Sequence, residues 1–175
     1  MNYIRRLLLF CLVILALVVT SLPVSAAPLA ATNSTLTQCL RYSGHIYEVC
    51  TAYIFNSSIG ALEPYYKYGR SSNSYAVQLV INHLTKRYVG TALTTVTNRV
   101  NQFPSGTYTV EGPHITILAA TSSLTTDSAV LQTRESWTIR AANGAVVYSE
   151  NNQLHTVIMN RVPSYILHKW VVSKL

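Results

Sequence analysis

An α+β fold is predicted, with N-terminal helices packed on a four-stranded antiparallel meander. Three features of the 175-residue sequence predict it. Between residues 74 and 100, Val77, Ile81, Leu84, Tyr88, Ala92, Val96 and Val100 recur mostly at four-residue steps, the spacing of one helix face. From Gly106 onward the apolar period falls to two, the spacing of a half-buried strand. Breakers at Ser122-Ser123 to Asp127, at Asn143-Gly144 and at Val162-Pro163-Ser164 then divide the rest into extended segments at about 107–119, 128–141, 145–160 and 165–174. Short connections between consecutive strands give antiparallel pairing, and helices before a meander give α+β.

The chain begins with a segment that stands outside this fold. Arg5 and Arg6 precede an uncharged apolar run from Leu7 to Leu22, Pro23 breaks it, and Val24-Ser25-Ala26 offers a small-residue cleavage site. Residues 1–26 therefore read as a signal peptide, and the protein as secreted or held in the cell envelope. An uncleaved anchor is the alternative, and it is the one way in which the sequence offers membrane attachment. Residues 27–35 form a small-residue linker, and residues 36–175 a single domain.

Within residues 36–70 the pattern is least regular. Leu36, Leu40, Ile46, Cys50, Tyr53 and Ile54 fit short helical pieces, and Ser43-Gly44 reverses the chain either between such pieces or within a hairpin. Cys39 and Cys50 are expected to form a disulfide in an oxidising compartment. Eleven residues of straight helix would part their Cα atoms by ~16 Å, whereas a disulfide needs less than ~7 Å. A bridge therefore requires the reversal at Ser43-Gly44. Pro64 biases Glu63 away from helix. Tyr65, Tyr66 and Tyr68 make either a sugar-stacking platform or a half-buried seam. Asn33-Ser34-Thr35 and Asn56-Ser57-Ser58 match the glycosylation pattern. Ser74 is the candidate N-cap of the helical stretch that follows, which should kink or break near Gly90.

Composition narrows the function. Charged residues are 11% of the chain and hydrophobic ones 49%, with 12 tyrosines. Ordinary soluble domains carry about 25% charged residues, so an acidic disordered tail, a collagen and a coiled coil are excluded. Without residues 1–26 the chain has eleven basic and six acidic residues, a net charge of +5, which suits anionic envelope polymers. The basic residues are scattered, so no specific nucleic-acid binding is expected. There is no Cys-x-x-Cys, nucleophile elbow, phosphate loop or dinucleotide fingerprint, and no metal-ligand spacing among His45, His83, His114, His155 and His168. No metal and no cofactor are predicted.

The second strand carries the most informative residue. Ala129, Leu131, Thr133, Glu135, Trp137 and Ile139 share its more apolar face, which should turn toward the helices. Glu135 is thereby a carboxylate in the core, where an acid must be paired or neutral. His155 and His168 are candidate partners. An imidazole beside a carboxylate in a cavity is a proton-transfer arrangement, and a structural ion pair is the alternative.

Leu131 to Ile139, Asn143-Gly144, Val146 to Tyr148 and Tyr165 to Val172 resemble the strand series of nuclear transport factor two-like (SnoaL-like) domains. Glu135-Ser136-Trp137 matches the Glu-x-Trp-like strand of that superfamily, and Trp170-Val171 its terminal strand. The resemblance spans about residues 75–175. It implies a curved sheet that forms a cone with the helices around a pocket, here lined by Trp137, Trp170 and Tyr88. It also implies dimerisation through the exposed sheet face in many members. Val130, Gln132, Arg134, Ser136, Thr138 and Arg140 make that face mostly polar here, so a homodimer is one expected state among two. Catalytic members place an Asp or His in the pocket from the helical half, and this chain offers His83 and no Asp there. The resulting expectation is a non-catalytic binding domain for an apolar small molecule or an envelope protein. The alternatives are an isomerase- or lyase-type pocket enzyme, with Glu135 as base and His168 or a Tyr as acid, and a binder of anionic envelope polymers.

Overall fold

The structure, a computed structural model, describes residues 36–122, 127–163 and 169–175. The segments assigned above to the signal peptide and linker, with Asn33, lie outside the described residues, as does His168. Helices precede an open sheet, in the α+β order expected.

Residues 36–70 are mostly helical, in short pieces. A 3-10 turn at Gln38–Arg41 leads into α1 (Gly44–Phe55), a π turn at Asn56–Gly60 and α2 (Leu62–Tyr68). Val49, Cys50, Tyr53 and Ile54 form the buried stripe of α1. The chain reverses between the 3-10 turn and α1 with no hairpin, and this brings the Cα atoms of Cys39 and Cys50 to 5.6 Å across their disulfide. Pro64 lies inside α2, contrary to the bias expected of Glu63. It occupies the third helical position, where its missing N–H has no intrahelical acceptor to lose. Asn56 also departs from expectation. It is buried and its side chain donates to Trp170 O at 3.2 Å, so it is no accessible glycosylation site.

The stretch from 74 to 100 divides into α3 (Ser74–Thr85) and α4 (Gly90–Asn101). The N-cap of α3 is Asn73 rather than Ser74. Its side chain accepts from the N–H groups of Tyr75 and Ala76, which satisfies two of the four free donors of the first turn. The break before Gly90 has a tertiary cause. Arg87 O accepts from Val172 N at 2.8 Å and Val89 N donates to Val172 O at 2.9 Å, so this backbone serves the last strand instead of a helix.

The sheet has strands β1 (Tyr108–Ser122), β2 (Ser128–Ala141), β3 (Val146–Val162) and β4 (Lys169–Lys174), paired antiparallel in sequence order. The β2–β3 hairpin closes where Asn143-Gly144 predicts. Gly144, at φ 82°, occupies the left-handed position of a three-residue loop. Five register shifts bend the strands. At one of them Gly112 has φ 102°, and a Cβ there would lie 2.7 Å from Ser136 O. Each sheet edge is covered in part. On β1, the Gln38 amide donates to Ile115 O at 2.9 Å and accepts from Ile117 N at 3.0 Å, and Arg41 adds a bond to Ile117 O. On β4 the covering chain is Arg87–Val89. Where it lies, such cover blocks edge-to-edge pairing with other chains.

The inner sheet face and the helices enclose one core. Ala129, Leu131, Thr133, Glu135, Trp137 and Ile139 are all buried in it, on the face that alternation assigns to the helices.

Candidate functional site

Two places hold chemistry: a polar cluster inside the core and an apolar groove on the helical side.

The cluster centres on Glu135, which is 4% exposed. Tyr53, from the buried stripe of α1, donates its phenol to Oε1. Thr133 donates to the same oxygen at 2.7 Å, and the Trp137 indole donates to Oε2 at 3.3 Å. Three of about four acceptor positions of the carboxylate are thus taken by the fold's own donors.

A second acid reaches the same face through a bulge. Glu135 pairs with Gln153 and Trp137 with Glu150, so Asn151 and Asn152 oppose the single residue Ser136. Asn152 takes φ 52°, and its N–H donates to Ser136 Oγ at 2.8 Å. This irregularity reverses the alternation of β3. His155, Val157 and Met159 turn inward on one side of it, and Tyr148 and Glu150 on the other. Both Tyr148 and His155 donate to the Glu150 carboxylate. Arg99 of α4 donates to the Tyr66 hydroxyl at 2.5 Å and stands 4.4 Å from the Tyr148 ring centroid. Tyr66 in turn meets Trp137 edge to face at 5.1 Å.

Electrostatics follow from this packing. Burial, reinforced by the Glu135 charge, pushes the Tyr53 phenol well above its usual range. Burial pushes Tyr66 up to about 12 even beside Arg99. Both remain hydroxyl donors at neutral pH. The hydrogen bond to Glu150 raises His155 against the opposing effect of burial, and the charge of Glu135 helps. Burial pushes Glu150 up, yet the bonds from His155 and Tyr148 outweigh it and hold this acid below the ordinary carboxylate range.

The structure brings Glu135 and Trp137 together as neighbours, whereas the Tyr88 hydroxyl lies 3.2 Å from Ser57 Oγ. Tyr88, Trp137 and Trp170 are all buried. The Trp170 indole N–H has no partner among the described residues. Glu135 has Tyr53, Thr133 and Trp137 as its partners among the described residues. His155 bonds instead to Glu150. Tyr65 and Tyr66 are buried, in the manner of a seam and not of a surface stacking platform. Among the described residues no group of three His, Cys, Asp or Glu side chains could hold a metal, and no helix is long and apolar enough to cross a membrane.

The groove lies on the other side of the helices and opens to solvent. It encloses about 270 Å³ between the π turn, α2 and α3. Ile59, Pro64, Tyr68, Leu79 and Val80 wall it, with Gly60 and Ala76 beside them and His83 at the C-terminal end of the α3 stripe. Ile59 is 64% and Leu79 46% exposed, a poor arrangement for side chains of this size unless something covers them. A second recess of about 440 Å³, between Pro104–Tyr108 and Ala141–Asn143, has no charged side chain in its lining.

No protein-family model, curated protein or solved structure matches the chain.

Proposed function

We propose that this protein is an exported, non-catalytic binding domain whose apolar groove takes an apolar small molecule. The groove carries this reading, because it is open, walled by aliphatic and aromatic side chains, and leaves Ile59 and Leu79 uncovered. The buried Cys39–Cys50 disulfide and the signal-like residues 1–26 support a place outside the cytoplasm. The resemblance to cone-shaped superfamily domains fits a binding role as well. A neutral fluorescent probe such as N-phenyl-1-naphthylamine tests the groove. Saturable binding that falls at least tenfold in Leu79→Glu, and stays unchanged in Arg134→Glu on the outer sheet face, is expected. Equal binding by wild type and Leu79→Glu would overturn the reading.

A second reading keeps an isomerase- or lyase-type enzyme. One observation favours it: the Glu150–His155 pair stands on the same face as Glu135, close enough for the Glu135 charge to act on the imidazole. Against it, the fold's own donors occupy most of Glu135. A folded Glu135→Gln variant that retains full turnover of a screened substrate would end this reading.

A further inference from the structure

The groove is apolar along its length and cationic beyond one end. Ala76, Leu79, Val80 and His83 lie on one stripe of α3, which spans ~10 Å from first to last at the helical rise. One turn past His83, Arg87 Nη1 stands 3.4 Å from His83 Nδ1 and donates to His83 O at 3.2 Å. Its guanidinium lies 5.6 Å from the ring centroid of Phe55, which is itself exposed at the end of α1. Lys169 donates to the backbone carbonyl of Lys86, so a third cation joins Lys86 and Arg87.

None of these three cations has a carboxylate partner among the ion pairs of the described residues. Part of the cluster caps the C-terminus of α3, where positive charge is favourable. One cation suffices for that, and three crowd each other. The crowding is felt at Lys169, which burial together with Arg87 and Lys86 pushes below the usual lysine range. An anion placed there would relieve the repulsion.

We propose that the groove binds a single-chain amphiphile with an anionic head, a medium-chain fatty carboxylate, its alkyl chain along Leu79 and Val80 and its head at Lys86, Arg87 and Lys169. This rests on the groove-binding reading above and adds the charge of the ligand. The apolar walls recognise the chain without direction, and the cations set which end points toward His83. The carboxylate meets Arg87 as a fork and the lysines as point charges.

Calorimetric titration of the full chain with decanoate, octanoate and neutral 1-decanol tests it, all below their micelle concentrations. Decanoate is expected to bind more tightly than octanoate by about sixteenfold, at roughly fourfold per buried methylene. The Lys86→Gln/Arg87→Gln variant, both positions being on the surface, should weaken decanoate at least tenfold and leave 1-decanol unchanged. Leu79→Glu should abolish both. If 1-decanol matches decanoate and the double variant changes neither, the anionic head is refuted and the apolar groove stands. If no ligand binds, both readings fall. Binding to vesicles containing phosphatidylglycerol, without binding of monomeric decanoate, overturns the proposal in favour of a membrane surface.

Discussion

Replacing Glu135 with Gln keeps the outline of the side chain and removes part of its acceptor capacity. In the wild type, Oε1 accepts from Tyr53 and Thr133 and Oε2 accepts from the Trp137 indole. A Gln carbonyl set at the Oε1 position retains the two hydroxyls. Its amide group then faces the indole N–H, donor against donor, in a site where Trp137 is buried. Turning two bonds to a charged group into neutral ones costs about 1 kcal/mol each, and leaving one buried donor unmet costs about 1–3 kcal/mol. The expected loss is about 3–5 kcal/mol out of a domain stability of roughly 5–15 kcal/mol. That corresponds to a fall in Tm of about 10–15 °C. Urea unfolding of the oxidised protein at pH 7, followed by tryptophan fluorescence, measures it. A double-mutant cycle with Tyr53→Phe isolates the pair and should return a coupling of about 1 kcal/mol or more. A Glu135→Gln protein within about 0.5 kcal/mol of wild type, the range of an ordinary surface change, would refute the argument. The carboxylate would then be free of these donors, and its use as a catalytic base would again need testing.

The remaining predictions concern other parts of the fold. Removing the disulfide by Cys39→Ser/Cys50→Ser should cost about 3 kcal/mol in the chain-entropy account. It should also speed amide exchange at Ile117, whose N–H is held by Gln38 next to the bridge; unchanged exchange there would separate the disulfide from the edge cover. The Glu150–His155 pair gives stability a bell-shaped pH dependence. Its His155 component is full below the ordinary value of 6.5 and is lost as pH rises through the elevated folded value. Its Glu150 component is full above the ordinary 4.5 and is lost as pH falls through the lowered folded value. The contribution of the pair therefore peaks between about pH 4.5 and 6.5, and His155→Gln should flatten the alkaline limb of a Tm-against-pH curve; an unaltered limb would show that other groups produce it. Gly112→Ala should destabilise by more than about 2 kcal/mol, because the new Cβ meets Ser136 O at a φ that L-residues avoid. A change below about 0.5 kcal/mol in a denaturant melt would contradict the close approach at that register shift.

Local pattern made much of the fold legible. The switch of period near Gly106, the Asn143-Gly144 hairpin and the inward face of β2 depend on neighbours in sequence, and each stands in the structure where alternation and turn chemistry place it. Residues 36–70 were harder to read because their helices are short and their stripe is interrupted by the π turn. Glu135 could be found as a buried acid from its place between Thr133 and Trp137. Its partner Tyr53 could not, because an α1 tyrosine at a core position looks like any other apolar contact. Glu150 carried no signal at all. Simple alternation puts it on the opposite face from His155, and only the bulge at Asn151-Asn152 turns both inward.

The order of elements, the period of each and the presence of a carboxylate in the core follow from side-chain spacing against helix and strand geometry, and so are written locally in the chain. Which groups meet depends on the folded path. The helix break before Gly90 exists because β4 needs the backbone of Arg87–Val89, and part of the free edge of β1 is closed by Gln38, 77 residues from Ile115. The groove and its cationic end likewise join the π turn, α2, α3 and β4. Contacts of this kind depend on the path of the whole chain, which no local window of residues encodes.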